Sequence, residues 1–442
     1  MHPSFRRHTA LACDSLAVLP SATVDGLGGM YGKNADRSRT EAQPIAVHPR
    51  ATHAPGSTIT LDTGLVIPQV NITWAHAGSR PHWAAPYGGY SEGINEWGVG
   101  IGNEMFPSRA LPTDHGRAPQ AEFTDLDRLV LERSKSAAEA VQVLTALISK
   151  YGQTCRTCPE AANYNSLFMI ADTTEIYSVM AVGHEWAYSQ FTEANTNGTG
   201  VWTISNYPFF NATHVSPTAQ ATAEKLGWYR PGSGAPFDFG RVYGDTRASD
   251  TRHLRSMTLL RDLASDHQLT KEDLMTVLKD HSYGHDLHEP PVSQIHWIGT
   301  EIDEHTFVGG ITASSMVSEF KSNGVKIAWH SLTNPCMAVF YPTIFHHDGH
   351  VSAVPAWLGS VAPWWGFRFV AYNLAKTDTA KIEAVRAAWL PVQQRFFAEA
   401  DAKALAANGM DAAAADAMLA AFMVNVSTTI RTTLEHLNKT LA

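Results

Sequence analysis

The chain has 442 residues, 44% hydrophobic and 10% aromatic, enough apolar material for a sizeable core. Its formal charge of -9, with a pI near 6.1, comes without a basic run interleaved with aromatics, which argues against nucleic-acid binding. No unbroken run of about eighteen apolar residues occurs, so no membrane insertion is expected, and 4 cysteines are too few for a disulfide scaffold at this length.

Residues 1–12 (MHPSFRRHTALA) are basic but lack the apolar segment of a signal peptide, although Ala10-Leu11-Ala12 has the small-x-small form of a signal-peptidase site. As it stands the chain reads as cytoplasmic. An upstream signal peptide would make it secretory, and sequons at Asn71, Asn197, Asn211, Asn425 and Asn438 lean that way. Cys13 to Pro20, Gly28 to Asn34 and Ala42 to His48 read as short strands separated by turns. Trp97 to Phe106 is Gly-rich and apolar, as expected of a buried strand approached closely by other backbone. The period then changes. Leu129, Val130, Ala140, Val141, Leu144, Leu147 and Ile148 fit helical spacing, with Thr124-x-x-Asp127 and Ser136-x-x-Glu139 as caps and Gly152 as a stop.

Ser166 to Val182 predicts a hairpin turning at Asp172 to Glu175, and Gly200 to Ser205 another strand. Helices are expected over Arg252 to Leu263 and Thr270 to His281, then strands over Val325 to His330 and Met337 to Phe345. From Thr377 the chain is Ala-rich and helical, kinked at Pro391 and broken at Asn408-Gly409. This order predicts a layered α+β body with a helical C-terminal addition.

Cys13 stands out by its company. Downstream, Gly32-Lys33-Asn34-Ala35-Asp36-Arg37, followed by Glu41 and Gln43, places several polar side chains beside an apolar strand. Other motifs are weaker. Gly89-Tyr90-Ser91-Glu92-Gly93 has G-x-S-x-G form, but a nucleophile elbow needs a preceding strand and a following helix, and neither is predicted. His281, His285, Asp286 and His288, and His346, His347 and His350, lack an H-E-x-x-H pattern and read as solvated or capping histidines. Cys155-x-x-Cys158 reads as a local disulfide or two free thiols, and no metal site is expected.

The segments CDSLAVLPSATVDG and MYGKNADRSRTEAQP resemble the opening of the C69 dipeptidases and secernins. So do EGINEWGVGIGNE, the helical stretch DLDRLVLERSKSAAEAVQVLTALISKYGQ, SLFMIADTTEIYSVMAVGHEWA, and the later ITASSMVSEF and WHSLTNPCMAVFYP. The resemblance spans roughly residues 13–370. It implies a four-layer αββα N-terminal-nucleophile fold, with residues 1–12 a leader removed before activity and 371–442 a helical addition. It further implies that Cys13 is the nucleophile once it becomes the first residue. A free α-amine, with pKa of about 8, can then take the thiol proton, and a nearby cation favours the thiolate.

By the same resemblance Asp36 would orient that amine, Asn206 would help hold the oxyanion, and Arg252, with Arg255 as competitor, would lie near the thiolate. Lys33, Asn34, Arg37 and Asn103 are candidate substrate contacts, Asn103 doubling as an oxyanion donor. Ser15 stands where the family more often has Thr. The implied reaction is dipeptide hydrolysis without a cofactor, on a small peptide partner and with room for a homo-oligomer. Two alternatives remain: an amidase or acyltransferase acting on N-acyl compounds through the same cysteine, and a secernin-like protein that works in secretion or trafficking without hydrolysis.

Overall fold

The structure, a computed structural model, describes residues 13–84, 87–109, 120–155, 164–207, 210–232, 234–245, 250–281, 301–303, 305, 310–347, 349–375 and 378–442. Two large antiparallel sheets carry the fold. In chain order their strands are β1 (Cys13–Val18), β2 (Met30–Arg37), β3 (Ile45–His48), β4 (His76–Ser79), β5 (Glu92–Asn95), β6 (Gly100–Pro107), β7 (Tyr164–Ala171) and β8 (Ile176–Val182). There follow β9 (Glu185–Phe191), β10 (Val201–Ile204), β11 (His214–Val215), β12 (Ile311–Phe320), β13 (Lys326–Leu332), β14 (Tyr341–His346) and β15 (His350–Val351). The first sheet has the order β10-β1-β2-β12-β13-β14-β15, and the second β11-β9-β8-β7-β6-β5-β4-β3.

Successive side chains of a strand point to opposite faces, and here both faces are covered, so central strands such as β2 and β12 are buried along their whole length, polar residues included. On β1, Ala17 joins the core between the sheets while Leu16 and Val18 join the core outside the first sheet. On β7, Leu167 and Met169 face the other sheet, whereas Phe168 and Ile170 pack outward under α1 (Phe123–Arg133) and α2 (Ala137–Tyr151). The first sheet is covered by α3 (Thr251–Asp266), α4 (Lys271–Leu278), α5 (Ala362–Phe369), α6 (Thr379–Asn408) and α7 (Ala412–Leu441). The result is the expected four-layer αββα sandwich.

Local signals explain most helix ends. Ser136 Oγ accepts from the Glu139 amide at 3.2 Å, and Gly152, with φ of 69°, closes α2. Thr270 and Asp273 form a capping box on α4. The Thr124-x-x-Asp127 cap does not form: α1 starts after Glu122, which leaves Thr124 and Asp127 inside the helix, buried. The chain remains helical on both sides of Pro391. The C-terminal helices share one apolar core with the first sheet, where the Trp329 and Phe397 rings meet edge-on at 4.8 Å. By length and composition α7 could cross a bilayer, but here Leu419, Met423, Val426 and Ile430 are spent in that core. Cys155 is disulfide-bonded, while Cys13 and Cys336 are free thiols.

Candidate active site

Cys13 opens β1 between β10 and β2, opposite Ala35. Its main-chain nitrogen donates to Asn206 Oδ1 at 3.1 Å, from the turn just after β10. Its Sγ receives the Asp36 main-chain N–H at 3.4 Å and lies 3.8 Å from the Asp36 carbonyl oxygen. Arg252, at the start of α3, reaches in from the helix layer. It donates to the Cys13 carbonyl at 3.0 Å, to Asp14 Oδ2 at 2.6 Å and to Asn206 Oδ1. One guanidinium thus fixes the cysteine, its neighbour and the side chain that holds the cysteine nitrogen. Arg255 instead turns to Asp280, at 2.7 and 3.0 Å.

Beneath this group lies a buried charged network. Lys33 Nζ pairs with Glu104 Oε1 at 3.2 Å, both side chains fully buried, and Ser15 Oγ donates to the same oxygen at 2.5 Å. The hydroxyl kept by Ser15 is therefore used. Gly102, two residues before Glu104, leaves room for the Lys33 stem, which a Cβ there would strike. Burial pushes the Glu104 carboxyl up to about 7 against the pull of Lys33. Burial also pushes the Cys13 thiol up to about 11, although Lys33 and Arg37 draw it back. Cys13 therefore carries an amide on its nitrogen and holds its thiol proton tightly.

Not every expected residue is brought to Cys13. Asn34 faces the helix layer and spends its amide on the Leu278 and Ile302 carbonyls, both at 2.8 Å. The Asp36 carboxylate receives the Thr312 hydroxyl at 2.7 Å, so the contact with Sγ comes from Asp36 main chain. Arg37 bonds Ser91 Oγ at 2.9 Å and lies over the Phe123 ring. Asn103 shares the Ile101 face of β6, toward α1 and α2, while Glu104 points to the other sheet. Asp14, which accepts from Arg252, and Tyr31, whose hydroxyl lies 3.4 Å from Ser15 Oγ, were not singled out from sequence. Only its place next to Cys13 could have flagged Asp14.

The rival motifs resolve differently. Ser91 is buried, bonded to Arg37 and Gln43, and leads into a strand, so it forms no nucleophile elbow. Two histidines read as solvated or capping are in fact buried. His281 lies 3.6 Å from Asp303, and His346 pairs with Asp416 at 3.2 Å. Their partners come from distant chain segments, which is why spacing alone missed them. His285, Asp286, His288, Cys158 and residues 1–12, expected as a leader, fall outside the described residues.

A four-layer αββα body with a free cysteine at the start of a central strand, its nitrogen held by an asparagine and its surroundings by a buried arginine, defines a cysteine-type amide hydrolase of the N-terminal-nucleophile class. The chain belongs to peptidase family C69, whose model matches residues 12–281. Among solved structures it is similar to a mutant conjugated bile acid hydrolase from Clostridium perfringens, at 16% identity and TM-score 0.43, over 78% of this chain and 99% of that one. It is also similar to penicillin V acylase from Agrobacterium tumefaciens, at 13% identity and TM-score 0.44, over 75% of this chain and 86% of that one. The Caenorhabditis elegans N-acylethanolamine-hydrolyzing acid amidase ortholog matches at 14% identity and TM-score 0.33, over 69% of this chain and 92% of that one.

Proposed function

We propose that the chain is a dipeptidase that works through a cysteinyl acyl-enzyme once residues 1–12 have been removed. The observation that carries this reading is the hold on the Cys13 nitrogen by Asn206 Oδ1 at 3.1 Å, beside a thiol that already receives the Asp36 N–H. In the leader-free enzyme that nitrogen is an amine. Asn206 would keep its lone pair turned toward Sγ, and the amine would take the thiol proton. The thiolate, favoured by Lys33, Arg37 and the Asp36 N–H, adds to the substrate carbonyl. Departure of the leaving amine, protonated from the α-ammonium, gives the thioester, which water then hydrolyses with the α-amine as base.

Arg252 offsets the negative charge that develops, and Asn206 Nδ2, donated to the Met105 carbonyl at 2.8 Å in the resting chain, is its proposed partner in holding the oxyanion. Lys33 and Arg37 keep a proposed part on the substrate side, with a small peptide as the substrate. Asn34 and Asn103, expected on the substrate side, lie on strand faces turned away from it, Asn34 holding the Leu278 and Ile302 carbonyls.

The test is the N-terminal sequence and intact mass of purified wild type and Cys13→Ala, followed by a dipeptide screen on leader-free protein. The expected result is a wild-type chain that begins at Cys13 and hydrolyses dipeptides, and a mutant that does neither. Leader-free protein that hydrolyses N-acyl amides and no dipeptide would replace the dipeptidase reading with the amidase one. No hydrolysis of either class would favour the non-enzymatic alternative.

A further inference from the structure

We infer that His281, Asp303, His305 and Cys336 form a binding site for a divalent transition-metal ion of the zinc class, separate from the Cys13 site and structural in its role. The four ligand atoms, two imidazole nitrogens, a carboxylate oxygen and a thiol sulfur, lie within 4.8 Å of one another. Cys336 Sγ is 3.3 Å from His305 Nε2, His305 Nε2 is 3.4 Å from Asp303 Oδ1, and His281 Nε2 is 3.6 Å from Asp303 Oδ2. Metal–ligand bonds of about 2.0–2.3 Å in a tetrahedral zinc site imply ligand–ligand edges of about 3.3–3.7 Å. These three spacings fall within that range and the others stay within 4.8 Å, so small side-chain shifts would close a coordination tetrahedron. A hydrogen-bonded histidine–carboxylate pair would be closer than 3.6 Å.

His281 supplies the second observation. It is buried, and neither ring nitrogen has a hydrogen-bond partner among the described residues, though Nε2 lies 3.6 Å from Asp303 Oδ2. An imidazole left so is costly unless something accepts its lone pair. The surrounding shell also suits a metal. Tyr372 donates its hydroxyl hydrogen to Asn334 Oδ1 at 2.7 Å, so His305 Nδ1, 3.3 Å from the same hydroxyl oxygen, must be the donor there. That fixes the tautomer with a bare Nε2 turned inward, as outer-shell partners do for metal-bound histidines. Asn334 Nδ2 and the Cys336 amide each donate to one oxygen of Asp303, at 2.7 and 3.0 Å, and orient the carboxylate.

The chemistry commits to a class. A thiolate with two imidazoles selects zinc and its neighbours over magnesium or calcium. Thiolate plus carboxylate neutralises a dication, so the buried site carries no net charge. Four protein ligands leave no open position, which makes the role structural. The ion would staple the end of α4, the segment before β12 and the turn after β13. It would also steady the Ile302 carbonyl that seats Asn34 on the strand next to Cys13.

The test uses the full-length protein. Metal content is measured on wild type, Cys336→Ser, His305→Ala and, as a control at the other histidine cluster, His346→Ala. We expect about one zinc per chain in wild type and His346→Ala, and under about a tenth in the other two. Chelation should lower the wild-type Tm by about 3–5 °C, restored by zinc alone. Cobalt loaded into chelated wild type should give tetrahedral d–d bands with thiolate-to-metal charge transfer, a readout independent of how the variants fold. Wild type that holds no metal after zinc reconstitution, with an unmoved Tm, overturns the inference. So does metal retained in full by Cys336→Ser, or lost with His346→Ala and not with Cys336→Ser.

Discussion

Replacing Lys33 by Met tests the buried network beneath the nucleophile. The substitution keeps most of the side-chain volume and deletes one charge, leaving Glu104 to accept from the Ser15 hydroxyl at 2.5 Å. Breaking a fully buried ion pair from one side costs about 3–5 kcal/mol when the remaining group must stay charged. Glu104 has an escape, because burial already lifts its carboxyl to about 7 in the presence of Lys33. Without Lys33 it rises further and the carboxyl takes a proton instead. The loss should therefore be about 1.4 kcal/mol larger near pH 8 than near pH 5, where wild-type Glu104 is itself largely protonated, and should stay below the about 3–5 kcal/mol of a pair whose remaining partner cannot neutralise. Urea unfolding of both proteins at the two pH values reads this directly. A pH-independent deficit, or one under about 1 kcal/mol near pH 8, would refute the claim that the pair is buried and coupled. Lys33→Met/Glu104→Gln should recover much of the loss, since both partners of the pair are then neutral.

Other outcomes follow from the same geometry. The folded chain holds the Cys13 thiol proton more tightly than the unfolded chain, so stability should fall as pH climbs from 9.0 toward about 11, and urea titration of Cys13→Ala should lack that fall. In leader-free protein, Arg252→Gln and Asn206→Ala should each lower kcat by about 10²–10³ with smaller changes in KM, measured by dipeptide turnover. Arg252→Lys should not restore it, because a point charge cannot bond Cys13, Asp14 and Asn206 together. Gly102→Ala should cost about 1–3 kcal/mol in urea unfolding, because its methyl would strike Lys33 and Tyr31; a neutral effect would mean the sheets separate easily at that point.

Much of the fold was legible along the chain. The strands around Cys13, the hairpin of β7 and β8, the caps at Ser136 and Thr270, and the break at Gly409 are local events set by nearby side chains and glycine. The motif Gly-Lys-Asn-Ala-Asp-Arg marked the strand paired with Cys13, but not the use of each side chain. Alternation along β2 sends Lys33 and Arg37 to the space between the sheets, and Asn34 to the helix layer. A residue list cannot show that division until the partner surfaces are known.

By itself the sequence determined a layered α+β body through period and turn chemistry, and its collinear motifs, through the family they resemble, implied the layer order and the nucleophile candidate. Only the tertiary structure decided that Asn206 and Arg252 meet at Cys13 across separations of 193 and 239 residues. It alone gathered His281, Asp303, His305 and Cys336 into one buried cluster. The physical reason is common to both. Contacts between side chains far apart in sequence are set by which faces the packed layers turn toward one another, and burial then fixes their charge states.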